Sequence, residues 1–218
     1  MNSHKLPAFE RLMIFAGLFS FGLLFYWCIL TANFHYTFLI WNLLMAFVPY
    51  AISKKLLRAK HNSVASYLLL FSWLIFFPAC IYPLTDLLQL KPTGDISVVY
   101  DAVMFLSFAI AGLLPGLISL KNVEVFLKKH TSGFFVKFSL MSFIFVSSYS
   151  ACLLRFLHLK DWNIILDFKR IFYASKHSIV NPTDHFRVWI AIGLIVLIVD
   201  VLYAWFKKLT IKTVRIKF

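Results

Sequence analysis

The chain has 218 residues, 61% of them hydrophobic and only 14% charged, with 25 phenylalanines and a mean hydropathy of +0.82. Soluble domains are about 45–50% apolar and about 25% charged, so water-soluble and disordered classes are excluded and a polytopic membrane protein remains. The net charge of +13 fits the Lys and Arg that collect in cytoplasmic loops; with these residues scattered and no binding motif in sight, nucleic acid is not an expected partner.

A hydrocarbon core of about 30 Å takes about 20 mostly apolar residues of helix. Six runs qualify, and they predict an all-α bundle forming a single integral membrane domain over residues 1–218. The first span, 12–30, is uncharged. It is longer than a signal-peptide core and no small-residue cleavage site follows it, so it is expected to stay. The second, 34–52, contains Pro49 and follows a very short link at 31–33. The third, 64–82, has Pro78 and Pro83 near its end. The fourth, 98–120, is interrupted only by Asp101, and its Gly112-x-x-x-Gly116 around Pro115 predicts close packing with a bend. The fifth, 134–154, has Lys137 near one end, and the sixth, 188–206, carries Asp200.

Between the last two spans, Ile164, Ile165, Phe168, Ile171 and Phe172 form one apolar stripe over 161–174. That segment is too short and too charged to span, and predicts a helix lying on the outer face. Thr183 or Asp184 is placed to cap the sixth span. The tail from Lys207 alternates cations with apolar residues and is expected to rest on the anionic inner leaflet.

With the N-terminus inside, Lys and Arg divide fourteen inside to seven outside, leaving Lys137 within a span. Both termini are therefore expected in the cytoplasm. The lipid bilayer is the expected partner, with other membrane proteins as further candidates.

Charges inside a membrane are costly and need a partner or a role. Laid out by depth, Asn42 lies two turns into the second span, Asp86 just beyond the third, Asp101 one turn into the fourth and Arg155 at the end of the fifth. Tyr82, Tyr100 and His158 accompany them at the outer level. Three readings fit this cluster: an ion pair locking helix ends, a ligand or substrate site, and a divalent metal site. Asp101 and Arg155 are expected to be coupled, directly or through Asp86, because a guanidinium cannot lose its proton. Asp200 either snorkels toward Lys207 or Lys208 or handles a proton or ion.

Cys28, Cys80 and Cys152 lack metal-ligand spacing and read as small buried hydrophobes. Neither a metal nor a cofactor is expected, and no catalytic motif appears. The function classes left open are a small transport or ligand-binding protein, a membrane-embedded enzyme or accessory subunit acting on lipid-linked envelope material, and a structural or assembly partner.

Trp41-Asn42-Leu43-Leu44 with Pro49, Phe77-Pro78 followed by Tyr82, Leu84-Thr85-Asp86-Leu87, Tyr100-Asp101 leading to Leu106-Ser107-Phe108, and Arg155-Phe156-Leu157 before Trp162 resemble the integral-membrane family called domain of unknown function 1361. The resemblance runs roughly from Trp41 to Asp167. The family's Pro-Asn-Ala-Pro-Tyr is replaced here by Pro78-Ala79-Cys80-Ile81-Tyr82. The resemblance implies a multi-pass protein of a bacterial cell membrane, with no assigned activity. It directs attention to Trp41, Asn42, Tyr82, Thr85, Asp86, Tyr100, Asp101 and Arg155.

The topology is checked by reporter fusions at Lys60, Leu90 and the C-terminus, which are expected to read inside, outside and inside. An outside C-terminus contradicts the arrangement.

Overall fold

A computed structural model describes residues 6–59, 63–87, 97–129, 131–156, 173, 175–178, 180 and 186–215. They form α1 (Leu6–Thr31), α2 (Phe38–Arg58), α3 (Val64–Phe76), α4 (Tyr82–Asp86), α5 (Val98–Lys128), α6 (Gly133–Phe156) and α7 (Phe186–Arg215). Tight 3-10 turns occupy His35–Thr37 and Phe77–Cys80, and no strand occurs among the described residues. Six stretches are long and apolar enough to cross a bilayer: Phe9–Thr31, His35–Arg58, Val64–Asp86, Val98–Lys128, Gly133–Leu153 and Phe186–Thr210. The chain is a multi-pass helical membrane protein. The expected surface helix over 161–174 and the cap at Thr183 or Asp184 lie outside the described residues, apart from Tyr173.

The short link between the first two spans works because side chains replace backbone partners. The Thr31 hydroxyl donates to the Trp27 carbonyl at 3.0 Å and accepts from the Asn33 amide at 3.3 Å. Asn33 Oδ1 accepts from the His35 amide at 3.0 Å, and Ala32 takes the left-handed conformation at φ 50° that reverses the chain. Trp27, Tyr36 and Phe105 then stack across the reversal, with ring centroids 4.6 and 5.0 Å apart.

The third span differs most from expectation. It does not stop at residue 82 but continues to Asp86 as a broken helix. Pro78 removes a ladder donor, so the chain tightens into the Phe77–Cys80 turn. Pro83, at the start of α4, suits the first turn of a new helix, where no donor is needed. Asp86 therefore lies within the bundle.

The fourth span is also longer than predicted. At 31 residues, α5 runs past residue 120 to Lys128, and its core stretch is 72% buried against 28% for the first span. It packs chiefly against α2, α1 and α4, and only lightly against α6, although a short link joins it to α6. The main partner of α6 is α7. The last span likewise continues as helix to Arg215, where the sequence suggested an alternating tail.

The glycine pair of α5 accommodates the break in the third span. A Cβ on Gly112 would meet Pro83 Cγ at 2.9 Å, and one on Gly116 would meet Cys80 Cβ at 2.8 Å. Cys80 in turn donates its thiol to the Ala46 carbonyl of α2 at 3.3 Å, so the break is wedged between α2 and α5. Gly112→Ala and Gly116→Ala are each expected to destabilise the protein by about 1–3 kcal/mol through overpacking. Gly17→Ala and Gly193→Ala, with nothing within 4 Å of the added methyl, are expected to be neutral or stabilising. Thermal unfolding in detergent checks the contrast.

Candidate functional site

The broken span delivers Asp86 to Asn42 and Arg155. Its carboxylate is fully buried at 0% exposure; Oδ1 forms an ion pair with Arg155 Nη2, and Oδ2 accepts from Asn42 Nδ2 at 3.1 Å. Three elements, α2, α4 and α6, thus meet at one carboxylate. Arg155 is the partly exposed member, with 22% of its side chain accessible, and its guanidinium lies 6.0 Å from the Phe38 ring centroid. Its place in the last turn of α6 favours a cation through the helix dipole. The sequence offered Asp86 or Asp101 as partner; the ion pair described is with Asp86.

Asp101 is also buried, at 1% exposure, in the first turn of α5, where the helix dipole favours an anion. Thr85 is buried beside Asp86, but its hydroxyl donates to the Tyr82 carbonyl at 2.7 Å and so serves the helix locally. Tyr100 is tied to α1. Its hydroxyl donates to the Leu23 carbonyl of α1 at 2.7 Å, and its ring lies 5.9 Å from that of Tyr26. Trp41 is 38% exposed, on the rim of α2, while Asn42 is buried. His158 lies outside the described residues. Among the described residues no three His, Cys, Asp or Glu side chains converge as metal ligands would.

A second charged cluster sits at the opposite end of α5 and was not singled out by the sequence. Glu124, 1% exposed, is bound by Lys121 at 3.0 Å, Lys128 at 2.6 Å and Lys207 at 2.7 Å, and accepts from the Tyr203 hydroxyl. Of the two lysines toward which Asp200 was expected to snorkel, Lys207 binds Glu124 instead. The i−3 and i+4 spacing of Lys121 and Lys128 about Glu124 was a readable signal. The contribution of α7 was not.

A third group joins α1 to α2 and α5. Glu10 binds Lys54 at 2.8 Å and accepts from the Tyr50 hydroxyl at 2.6 Å, while Asn122 donates to Ser53 at 3.0 Å.

Removing one partner of a desolvated ion pair costs about 3–5 kcal/mol, because the other is left buried and uncompensated. Asp86→Asn and Arg155→Gln are each expected to lower the melting temperature clearly, and the double variant to lose less than the sum. Strictly additive losses in a double-mutant cycle contradict the pairing.

No curated protein and no solved structure matches the chain. A family model does, over residues 41–199, a stretch that begins at Trp41 and holds every residue of the Asp86 cluster as well as Glu124. An apolar helix bundle with these residues and that match belongs to the family described as Protein of unknown function (DUF1361).

Proposed function

We propose that this chain is a ligand-binding or small transport protein of a bacterial cell membrane, with both termini cytoplasmic and its site at the outer ends of the second to fifth spans. The bacterial membrane rests on the family resemblance, and the orientation on the charge count.

The observation that carries the reading is the buried Asp86 carboxylate held between Arg155 and Asn42, with the buried Asp101 on the neighbouring helix α5. A lock between helix ends needs one acid and one base. Here a second acid and an amide are buried as well, and apolar side chains of similar volume would hold the helices at no greater cost. Arg155 is the member that reaches the surface, so a ligand approaching from outside meets a cation first. An anionic group on that ligand competes with Asp86 for the guanidinium, whose planar fork suits either partner. Trp41, Tyr82, Thr85, Tyr100 and His158 are the flanking candidates for the rest of the ligand.

The closed Arg155–Asp86 pair favours a second reading, an assembly partner in which the cluster only fixes helix positions. The enzyme reading gains no such support, since both carboxylates are withdrawn from solvent.

Extraction from native membrane with mass spectrometry of bound small molecules, lipids and proteins separates the two. A bound anionic molecule that is lost from the Arg155→Gln variant is the expected result. A stoichiometric protein partner kept by that variant, with no small molecule in either sample, overturns the ligand reading in favour of assembly.

A further inference from the structure

We propose that the Glu124 end of the bundle holds a binding site for the phosphodiester of an anionic phospholipid, formed by Lys121, Lys128 and Lys207. The argument begins with charge. Three ammonium groups surround one carboxylate, which leaves the cluster with two surplus positive charges. The distribution matters as much as the sum. Glu124 is buried, whereas the lysine side chains are 28%, 49% and 37% exposed, so a ligand arriving at the surface meets cations only.

Glu124 organises the site. Lys128 and Lys207 both bind its Oε1, so their nitrogens lie no farther apart than the two bond lengths together. At these distances each ammonium is attracted to the carboxylate more than the ammonium groups repel one another, yet the cluster keeps its surplus positive charge, which an external anion bridging the lysines neutralises. Each ammonium has three donors, and a phosphate offers several acceptor oxygens.

Depth selects a lipid over a free anion. Lys128 ends the fourth span, and Lys207 stands near Thr210, which ends the sixth; this is the level of headgroup phosphates. A lipid's acyl chains hold its phosphodiester at this level, whereas inorganic phosphate has no preferred depth. The charge count places this end on the cytoplasmic side, where polybasic segments attract anionic lipids.

The test titrates phosphatidylglycerol, phosphatidylcholine or inorganic phosphate into the full-length protein in neutral detergent, with native mass spectrometry and melting temperature as readouts. Saturable binding and a higher melting temperature with phosphatidylglycerol alone are expected, weakening as salt is raised. Lys121→Gln with Lys128→Gln, which keeps Lys207 on Glu124, is expected to weaken binding at least tenfold. Lys55→Gln, an exposed lysine on α2, is expected to leave it unchanged. Equal binding of phosphatidylcholine, or equal loss in Lys55→Gln, overturns the site. Equal binding of inorganic phosphate overturns the lipid assignment. If the double variant does not fold, the three-way comparison on the unaltered protein still decides, because an indifferent response there overturns the proposal.

Discussion

A helix interrupted inside a bilayer must find new partners for the backbone groups it frees, since no water is present to take them. The third span of this protein meets that constraint, and the Asp86 cluster follows from how. Pro78 forces the break, the Phe77–Cys80 turn shortens it, and Pro83 restarts the helix. The turn can be buried only because Gly112 and Gly116 let α5 approach Pro83 and Cys80 within the space of a missing methyl. With the Cys80 thiol on the Ala46 carbonyl, the break is fixed from both sides. Asp86 is then carried to the buried Asn42 rather than to water, and Arg155 becomes its counterion.

The buried carboxylates Asp86 and Glu124 are compensated differently. Asp86 has one cation and one amide, each from a separate element, so its environment changes if any of three elements shifts. Glu124 has three lysines and a tyrosine, two of the lysines from its own helix, and losing one cation leaves it paired. One competing anion would change the charge balance at the first kind of carboxylate far more than at the second. Its spare positive charge faces outward while its anion stays fixed.

The six spans were legible because length and hydropathy need no tertiary information. The polar level around Asn42, Asp86, Asp101 and Arg155 was legible too, since depth along a helix is fixed by residue count. Which acid takes the arginine was not, because it depends on the order of helices around the bundle. A short link between α5 and α6 suggested close neighbours, yet α5 is enclosed mainly by α2, α1 and α4. Pro78 and Pro83 read as the end of a span because proline usually stops a helix; the flanking glycines of α5, far away in sequence, allow it to continue. Glu124 was passed over because acids weigh little in topology. Tyr203 and Lys207, its partners from α7, lie 79 and 83 residues away and could be found only in three dimensions.

The length of α5 connects these points. At 1.5 Å per residue, Asp101 and Glu124 lie about 35 Å apart along one helix, close to a hydrocarbon thickness of about 30 Å. One rigid element therefore sets a buried acid at each boundary, and the other helices bring their cations to those two levels: Arg155 of α6 to one, Lys207 of α7 to the other. Asp200 does not fit either level. It lies two turns from Lys207, about 10 Å deeper, and Lys207 is already bound to Glu124. α6 packs mainly on α7, and both helices also enter the main apolar core, where Ile144, Cys152, Ile192 and Val199 cluster with Trp73, Phe77 and Leu113. Arg155 and Lys207 add charged ties from these two helices to Asp86 and Glu124. α6 and α7 are therefore held to the bundle by apolar packing along their length and by one ion pair near each boundary.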